Sequence, residues 1–544
     1  MQTIWSGELA GKAMDQWTRE IPVVASRGIV TDRNGDTLVS NAEKYTVYAR
    51  LNAVKDAEQT AKKLAAALSV DYQSTYEKIT GKRASEVTIA KKTDKSAVER
   101  LSSERLDGVY YARDDDRTYP KERLLSQVLG FTSSDNLGLT GLEKYYDGYL
   151  RGKNGELVYQ TDLVGIELNG AAAAYKEAQN GYNLRLTVDS GVQTCVETAL
   201  EKACLQYAPK TAQCIVLDPN TFEVIAMACL PSYNLNDIPR EDGEMLNALS
   251  RNRIVCDVYE PGSTFKIVTT AANLEEYNQG NKAAFSPSYV FSSSRTRTID
   301  GTTVKCWSNH ANGKHCNQTL SDALNNSCNP CFSDMALSLG TQTFYKYLTA
   351  FGFGKTTGID YGGEASGMLL LKEIVRKCDL ARIGFGQSVA VSALQLACAV
   401  ASCVNGGYYY EPHIVKEIYA DDGYVLEKRD KKLKNRTISE RTSKQIAAML
   451  EGVVSNGSGK KAYIDGYKVA GKTGTAQKFE DGHIAQGKYV SSFVGFFPSD
   501  NPQYLALVTV DEPQGAYYGS IVAAPVAKEI FQGIIDLKNI AKEK

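Results

Sequence analysis

The sequence predicts an α+β protein of two domains: residues 180–544 form an antiparallel sheet covered by helices, and residues 1–179 form an N-terminal domain dominated by strands and turns. Three observations carry this expectation. The chain has 544 residues, beyond the ~250–300 at which a single hydrophobic core stops growing. In the second part, strand patterns come early and late with helical patterns between them, an order that favours a helix-covered sheet over a doubly wound parallel one. Glycines cluster from Gly130 to Gly170, around Gly138-Leu139-Thr140-Gly141-Leu142-Glu143, and mark a loop-rich join that ends near Asn180.

The elements follow in chain order. From Ile21 to about Arg50 apolar runs flank Asp32-Arg33-Asn34-Gly35-Asp36, a hairpin-type turn. Residues 53–104 are polar and rich in Lys, Glu and Ala, and helical spacing at Ala61, Leu64, Ala65 and Leu68 predicts an inserted helical lobe. Tyr182 to Val188 reads as a strand leading into a helix through Val192, Val196 and Leu200. Cys214-Ile215-Val216-Leu217 and Val224-Ile225-Ala226-Met227-Ala228 flank the turn Asp218-Pro219-Asn220, a second hairpin. A final helix from about Pro525 carries Val526, Ile530, Ile534 and Leu537 on one face.

Composition excludes some classes. With 62 basic against 63 acidic side chains and a net charge of −1, nothing favours nucleic acid as a partner. No apolar run reaches the ~20 residues needed to cross a bilayer. Met1-Gln2-Thr3-Ile4-Trp5 lacks the basic region and cleavage site of a signal peptide and reads as a chain trimmed behind an anchor. Twelve cysteines are too few for a disulfide scaffold in a chain of this length, and most sit among aliphatic residues as small hydrophobes.

Three motifs carry chemistry. In Tyr259-Glu260-Pro261-Gly262-Ser263-Thr264-Phe265-Lys266 a Pro-Gly turn releases into a helix through Phe265, Val268, Ala272 and Leu274. Residues three apart on a helix are neighbours, so Lys266 can reach the Ser263 hydroxyl. A serine is weakly nucleophilic without such a base, and a lysine serves as one only if burial or a nearby cation lowers its pKa. Helix N-terminal N–H groups there would favour a developing oxyanion. Ser327-Cys328-Asn329 closes the helical run Leu320, Ala323, Leu324. Lys472-Thr473-Gly474-Thr475-Ala476 lies on an extended segment before a hairpin returning through Val490 to Gly495. Gly474 leaves room for another backbone, so a peptide could add to this edge with its carboxylate near Lys472. Ser458-Gly459-Lys460-Lys461 repeats the serine-lysine spacing in a glycine-rich loop, and a literal Ser134-Asp135-Asn136 precedes the nucleophile motif; both read as chance.

Ser-x-x-Lys, Ser-x-Asn and Lys-Thr-Gly in this order resemble the class B penicillin-binding proteins. The resemblance extends to Arg27-Gly28-Ile29-Val30-Thr31-Asp32-Arg33-Asn34-Gly35, Arg117-Thr118-Tyr119-Pro120 and Ile383-Gly384-Phe385-Gly386-Gln387. Ser392-Ala393-Leu394-Gln395 stands where the family commonly shows Thr-Pro-Leu-Gln. The resemblance implies an elongated, non-catalytic N-terminal pedestal, a dimerisation-like domain, and a C-terminal transpeptidase domain that cross-links peptidoglycan stem peptides through a serine acyl-enzyme, with DD-carboxypeptidase hydrolysis as its side reaction. It assigns Ser263 as nucleophile and Lys266 as base. Ser327 and Asn329 relay protons and hold the donor. Lys472 and Thr473 bind its carboxylate, and the N–H groups of Ser263 and Thr475 form the oxyanion hole. β-Lactams should acylate Ser263. It further implies a membrane anchor ahead of Met1, a site on the extracytoplasmic face of the membrane, and a membrane glycosyltransferase and other cell-wall proteins as partners. No cofactor is required for the chemistry.

Two readings compete. Gly466-Tyr467-Lys468-Val469-Ala470-Gly471-Lys472-Thr473 satisfies the P-loop pattern of an NTPase, although no helical period follows it. A β-lactam sensor or β-lactamase would share the three motifs but fits a smaller chain. Asp300 to Cys316 holds two of the four histidines beside two cysteines, donors that suit tetrahedral zinc. The region resembles zinc-containing class B enzymes, which implies His315 and Cys328 as ligands, Cys306 as a third and Asp300 as the fourth, with His310 and Cys316 as rivals. Such a structural zinc would tie the loop to the helix bearing Ser327 and Asn329. Cys328-Asn329-Pro330-Cys331 also matches a redox pair.

Overall fold

A computed structural model describes residues 18–81, 84–161, 167–291, 294–308, 310, 315–480 and 483–542. Met1 to Trp5, read above for a targeting signal, lie outside them, and no helix among the described residues is long and apolar enough to cross a membrane.

The second half is built on five antiparallel strands: β1 (Thr211–Leu217), β2 (Val224–Leu230), β3 (Ala470–Glu480), β4 (His483–Phe497) and β5 (Tyr504–Asp511), in the order β2-β1-β5-β4-β3. The expected hairpin around Asp218 joins β1 to β2. Seven helices matter here: α1 (Ser190–Tyr207), α2 (Lys266–Asn278), α3 (Leu320–Asn326), α4 (Asn329–Ala350), α5 (Ala393–Val404), α6 (Glu440–Ser455) and α7 (Ala523–Lys538). Successive side chains of a strand point to opposite faces, and the sheet uses this to feed two cores. Cys214, Phe493 and Val508 pack with Val196 and Leu200 of α1 and Ile530 and Ile534 of α7. Their neighbours Ile215, Val494 and Leu507 pack with Val268 of α2 and Leu396 of α5. Helix α5, apolar on nearly every side, is buried along its whole length; α2 is buried from Lys266 to Glu276 although it carries Lys266, Asn273, Glu275 and Glu276. On α7 the expected face shifts slightly: Phe531 and Ile535 join Ile530 and Ile534 in the core, and Leu537 is exposed.

The first half carries a sheet of Val30–Thr31, Thr37–Arg50, Glu86–Thr93 and Val109–Thr118. It continues into the second half, because Val30–Thr31 pairs in parallel with Asn183–Leu186, which pairs antiparallel with Val415–Tyr419. A second sheet joins Thr18–Val23, Gly155–Thr161 and Glu167–Lys176. The lobe at 53–104 contains the helices Ala57–Leu68, Tyr72–Thr80 and Lys95–Ser103 around Ala61, Leu64 and Val98. It also contains the strand Glu86–Thr93, whose period-2 signal at Val87 and Ile89 is diluted by Lys91 and Lys92.

Three of the stretches singled out in sequence meet at one buried carboxylate. Arg27 Nε donates to Glu143 Oε2 at 2.6 Å and Arg117 Nε to Glu143 Oε1 at 2.7 Å, with all three side chains at most 3% exposed. Removing one partner of a buried charge cluster leaves the others uncompensated, at a cost of about 3–5 kcal/mol. Glu143→Ala should therefore lower stability by about that much, read from denaturant unfolding; a change below about 1 kcal/mol would contradict this role for Glu143.

Candidate active site

The three motifs converge between the edge strand β3 and the helices packed on the sheet. Gly262–Phe265 form a turn of 3-10 helix that runs directly into α2. Ser263 is therefore on the turn before the α-helix rather than within it, and it is half-buried. Gly262, at φ 54°, takes the left-handed conformation the turn requires. The Gly384-Phe385-Gly386 stretch holds the turn from behind. Gly262 N–H donates to Gly386 O at 2.9 Å, and a Cβ on Gly386 would sit 2.1 Å from Gly262 O.

Lys266 is fully buried, and its amine is surrounded by acceptors. It donates to Ser327 O at 2.8 Å, Ser327 Oγ at 3.0 Å and Asn329 Oδ1 at 2.7 Å. This is possible because Ser327 caps α3 in the left-handed conformation, φ 55°. The chain turns there before α4 begins at Asn329, so carbonyl, hydroxyl and amide face one point. Burial pushes the Lys266 pKa down to about 8, although the thiols of Cys328, Cys306 and Cys331 oppose the shift. The arrangement can accept a proton from Ser263 near neutral pH and pass it to Ser327.

Lys472 to Ala476 lie in the middle of β3, paired with β4 from Lys472↔Val494 to Ala476↔Val490. β3 ends the sheet order, so its outer edge pairs with no strand among the described residues. Lys472 is fully buried, with Nζ donating to Thr473 O at 3.2 Å. Burial, reinforced by the charge of Lys266, holds its pKa well below the ordinary lysine range. An arriving carboxylate would reverse that shift. A Cβ on Gly474 would lie 2.3 Å from Ser492 Oγ, 3.0 Å from Thr264 Cγ2 and 3.2 Å from Pro261 O; here a glycine lets the strand and the nucleophile's turn touch. Because Lys472 and Thr473 sit mid-strand and the chain returns as β4, no helix opens on a phosphate-binding loop, and the NTPase pattern fails.

Sequence spacing missed three neighbours. Ser458, dismissed with its glycine-rich loop, places its hydroxyl 3.2 Å from Thr473 Oγ1, while Lys460 and Lys461 beside it are exposed. Gly519 N–H donates to Thr475 Oγ1 at 3.0 Å, and Ser492 meets Gly474. No local signal points to Ser458, since its link to Thr473 arises only when α6 and β3 pack. The other Ser-Asp-Asn lies in the N-terminal half, with Asp135 paired to Lys91.

The candidate metal ligands also gather. Cys306, His310, His315 and Cys328 have ligand atoms all within 4.8 Å of one another, including Cys306 Sγ to His315 Nδ1 at 3.4 Å and Cys328 Sγ to His310 Nε2 at 4.0 Å. Tetrahedral zinc on such donors needs separations of about 3.3–3.8 Å; the Cys306–His315 pair meets this, the Cys328–His310 pair is slightly wider, and two thiols with two imidazoles are the donor chemistry that zinc takes. Asp300 is not among the four. It is exposed at the turn of the hairpin Thr296–Ile299 and Thr302–Lys305, and His310 stands in the place expected of it. Cys316 also lies outside the group. The loop is tied to the motif helix: Asn329 Nδ2 donates to Lys305 O at 3.1 Å and Trp307 Nε1 to Asn326 O at 2.9 Å.

Known proteins give the class. The profile of the penicillin binding protein transpeptidase domain matches residues 212–532, and that of the penicillin-binding protein dimerisation domain matches residues 22–186. The chain belongs to the class B penicillin-binding proteins and is a serine-type D,D-transpeptidase. It is 38% identical over 536 residues to stage V sporulation protein D of Bacillus subtilis, covering 98% of this chain and 81% of that one. It is 29% identical to the peptidoglycan D,D-transpeptidase FtsI of Escherichia coli, covering 95% and 84%. In fold it is similar to a peptidoglycan synthetase from Bifidobacterium adolescentis, with a TM-score of 0.79 at 24% identity over 97% of this chain and 98% of that one. Penicillin binding protein 2X from Streptococcus thermophilus aligns with a TM-score of 0.77 at 22% identity, over 97% and 83%.

Gly474→Ala should force β3 away from the turn of Ser263. The expected outcome is a fall of at least about tenfold in the rate of acylation by a β-lactam, since about 1.4 kcal/mol of misplacement is enough. An unchanged rate would show that the close approach at Gly474 is not needed.

Proposed function

We propose that this chain cross-links peptidoglycan, with Ser263 attacking the D-Ala-D-Ala end of a donor stem peptide and Lys266 taking its proton. The observation that carries this is the buried amine of Lys266 facing Ser327 and Asn329 one helical turn from Ser263. Attack forms the bond from Ser263 Oγ to the penultimate carbonyl carbon and expels D-alanine, which takes up the proton through Lys266 and Ser327. Lys472, Thr473 and Ser458 receive the terminal carboxylate. The donor backbone adds to the free edge of β3, and the N–H groups of Ser263 and Thr475 stabilise the oxyanion. An amine of a second stem peptide then releases the acyl group. Relatives named peptidoglycan D,D-transpeptidase support this choice of substrate.

A structural zinc held by Cys306, His310, His315 and Cys328 completes the reading. It supplies no chemistry to the reaction; it fixes the loop whose Lys305 carbonyl holds the Asn329 amide. The same reading puts the enzyme on the extracytoplasmic face of the membrane, beside a membrane glycosyltransferase that supplies the glycan, since the two matched domains are a dimerisation and a transpeptidase domain.

Ser263→Ala should abolish the covalent adduct with a fluorescent penicillin while the protein stays folded; an adduct at any other residue would overturn the assignment. In the wild type, the neutral fraction of Lys266 grows as pH rises through about 8, so the acylation rate should climb between pH 6.5 and 9 along a single titration. A flat profile would remove Lys266 as the base. Chelation should release one zinc per chain by metal analysis, slow acylation and lower the Tm, and His310→Ala should mimic it where Asp300→Ala does not. A metal-free protein of full activity contradicts the metal site.

A further inference from the structure

The grip on the nucleophile's turn begins four residues before Ser263. Tyr259 and Val391 exchange both backbone hydrogen bonds, each N–H to carbonyl distance being 3.0 Å. Gly262 N–H donates to Gly386 O at 2.9 Å. Between these two rungs a side chain makes the bond: Glu260 Oε1 accepts from Ser388 N–H at 2.8 Å. Ser388 is left-handed, at φ 58°. A serine takes that conformation uncommonly, and it persists only where the surroundings enforce it. A carboxylate binds a backbone N–H more strongly than a neutral acceptor does, which suits the half-buried Glu260 to holding this one.

What this stretch controls is the peptide between Gly262 and Ser263. A trans peptide is planar, so Gly262 O and Ser263 N–H point in opposite directions. Gly386 lies against the carbonyl side, where a Cβ would sit 2.1 Å from Gly262 O. Ser263 N–H is therefore turned away from the stretch behind it. On the other side, a Cβ on Gly262 would lie 3.4 Å from both Thr475 O and Ala476 Cβ. The peptide is thus wedged between Gly386 and β3, with little room to rotate. The aim of a hydrogen-bond donor counts most for an oxyanion, whose charge develops only during the reaction.

We propose that Glu260 and Gly386 are positioning residues that aim the Ser263 N–H at the oxyanion; this rests on the reading of Ser263 as the nucleophile. Glu260 acts by fixing the Ser388 end of the stretch, and Gly386 by having no side chain behind Gly262 O. Both work through the turn and not on the substrate. When Ser263 Oγ bonds to the carbonyl carbon, its proton passes to Lys266 and the carbonyl π pair moves onto oxygen. The N–H groups of Ser263 and Thr475 then meet the new charge. A Ser263 N–H swung off line weakens one of those two bonds and leaves the binding of the donor carboxylate at Lys472 and Thr473 as it was. Such a loss falls on the rate of bond formation and not on the affinity for substrate.

Stopped-flow acylation of the whole chain by a chromogenic β-lactam separates a dissociation constant from the first-order rate of bond formation. Removing an oxyanion donor outright lowers such rates by about 10²–10³-fold, so misaiming one should cost at least about tenfold. Glu260→Leu and Gly386→Ala should each show that loss of rate, with the dissociation constant within about twofold of wild type. Glu260→Gln keeps an acceptor oxygen for Ser388 N–H and should recover the rate to within about threefold. A boronic acid forms a tetrahedral adduct with a hydroxyl in the oxyanion's place, and its affinity should fall in Glu260→Leu by the same factor as the rate. A merely structural role predicts a raised dissociation constant and a lower Tm, with the boronate and the β-lactam affected alike. That pattern, or an unchanged rate in Gly386→Ala, overturns the assignment; if Glu260→Leu does not fold, Gly386→Ala with the boronate decides it. Absence of any adduct on Ser263 in the wild type overturns instead the reading of the nucleophile.

Discussion

The structure depends on one buried amine. Lys266 is taken out of water on the first turn of α2, and burial holds its pKa near 8; only there can it act as a base for Ser263 at ordinary pH. A buried lysine is costly unless its donors are met. Meeting them requires the left-handed turn at Ser327, the start of α4 at Asn329 and the packing of α2 into the larger core. The second motif is thus the environment that makes the first one reactive. The third presses in through Gly474, whose missing side chain sets the gap between β3 and the nucleophile's turn.

Outer layers follow the same logic of position. The Gly384 to Gly386 stretch packs behind Gly262, and Thr269 Oγ1 donates to Gly384 O at 2.7 Å. The loop carrying Cys306 and His315 reaches Asn329 through Lys305. Farther away, Glu143 collects Arg27 and Arg117, and a shared sheet carries the N-terminal strands onto Asn183–Leu186. These contacts leave the chemistry itself to a handful of residues and make their geometry hard to lose.

Much of this is legible in the sequence, for physical reasons. The β1–β2 hairpin and α1 declare themselves through apolar runs and periodicity, and the three motifs through residue types that only one chemistry combines at that spacing. What the sequence hides is whatever depends on distant packing. The strand Glu86–Thr93 reads as helical lobe because lysines interrupt its alternation. Ser458 reads as a loop residue because nothing local links it to Thr473. His310 and Asp300 are indistinguishable as ligands until the Thr296–Lys305 hairpin carries Asp300 to its exposed turn.

The most direct measurement is the titration of the Lys266 amine itself, by NMR of protein carrying isotope-labelled lysine, with Lys266→Arg used to assign the resonance. The account predicts a midpoint near 8, well below the ordinary lysine value of about 10.5, together with a displaced midpoint once Ser263 is acylated. A midpoint at the ordinary lysine value in the free enzyme would contradict it, because a serine beside a permanently charged amine has no base.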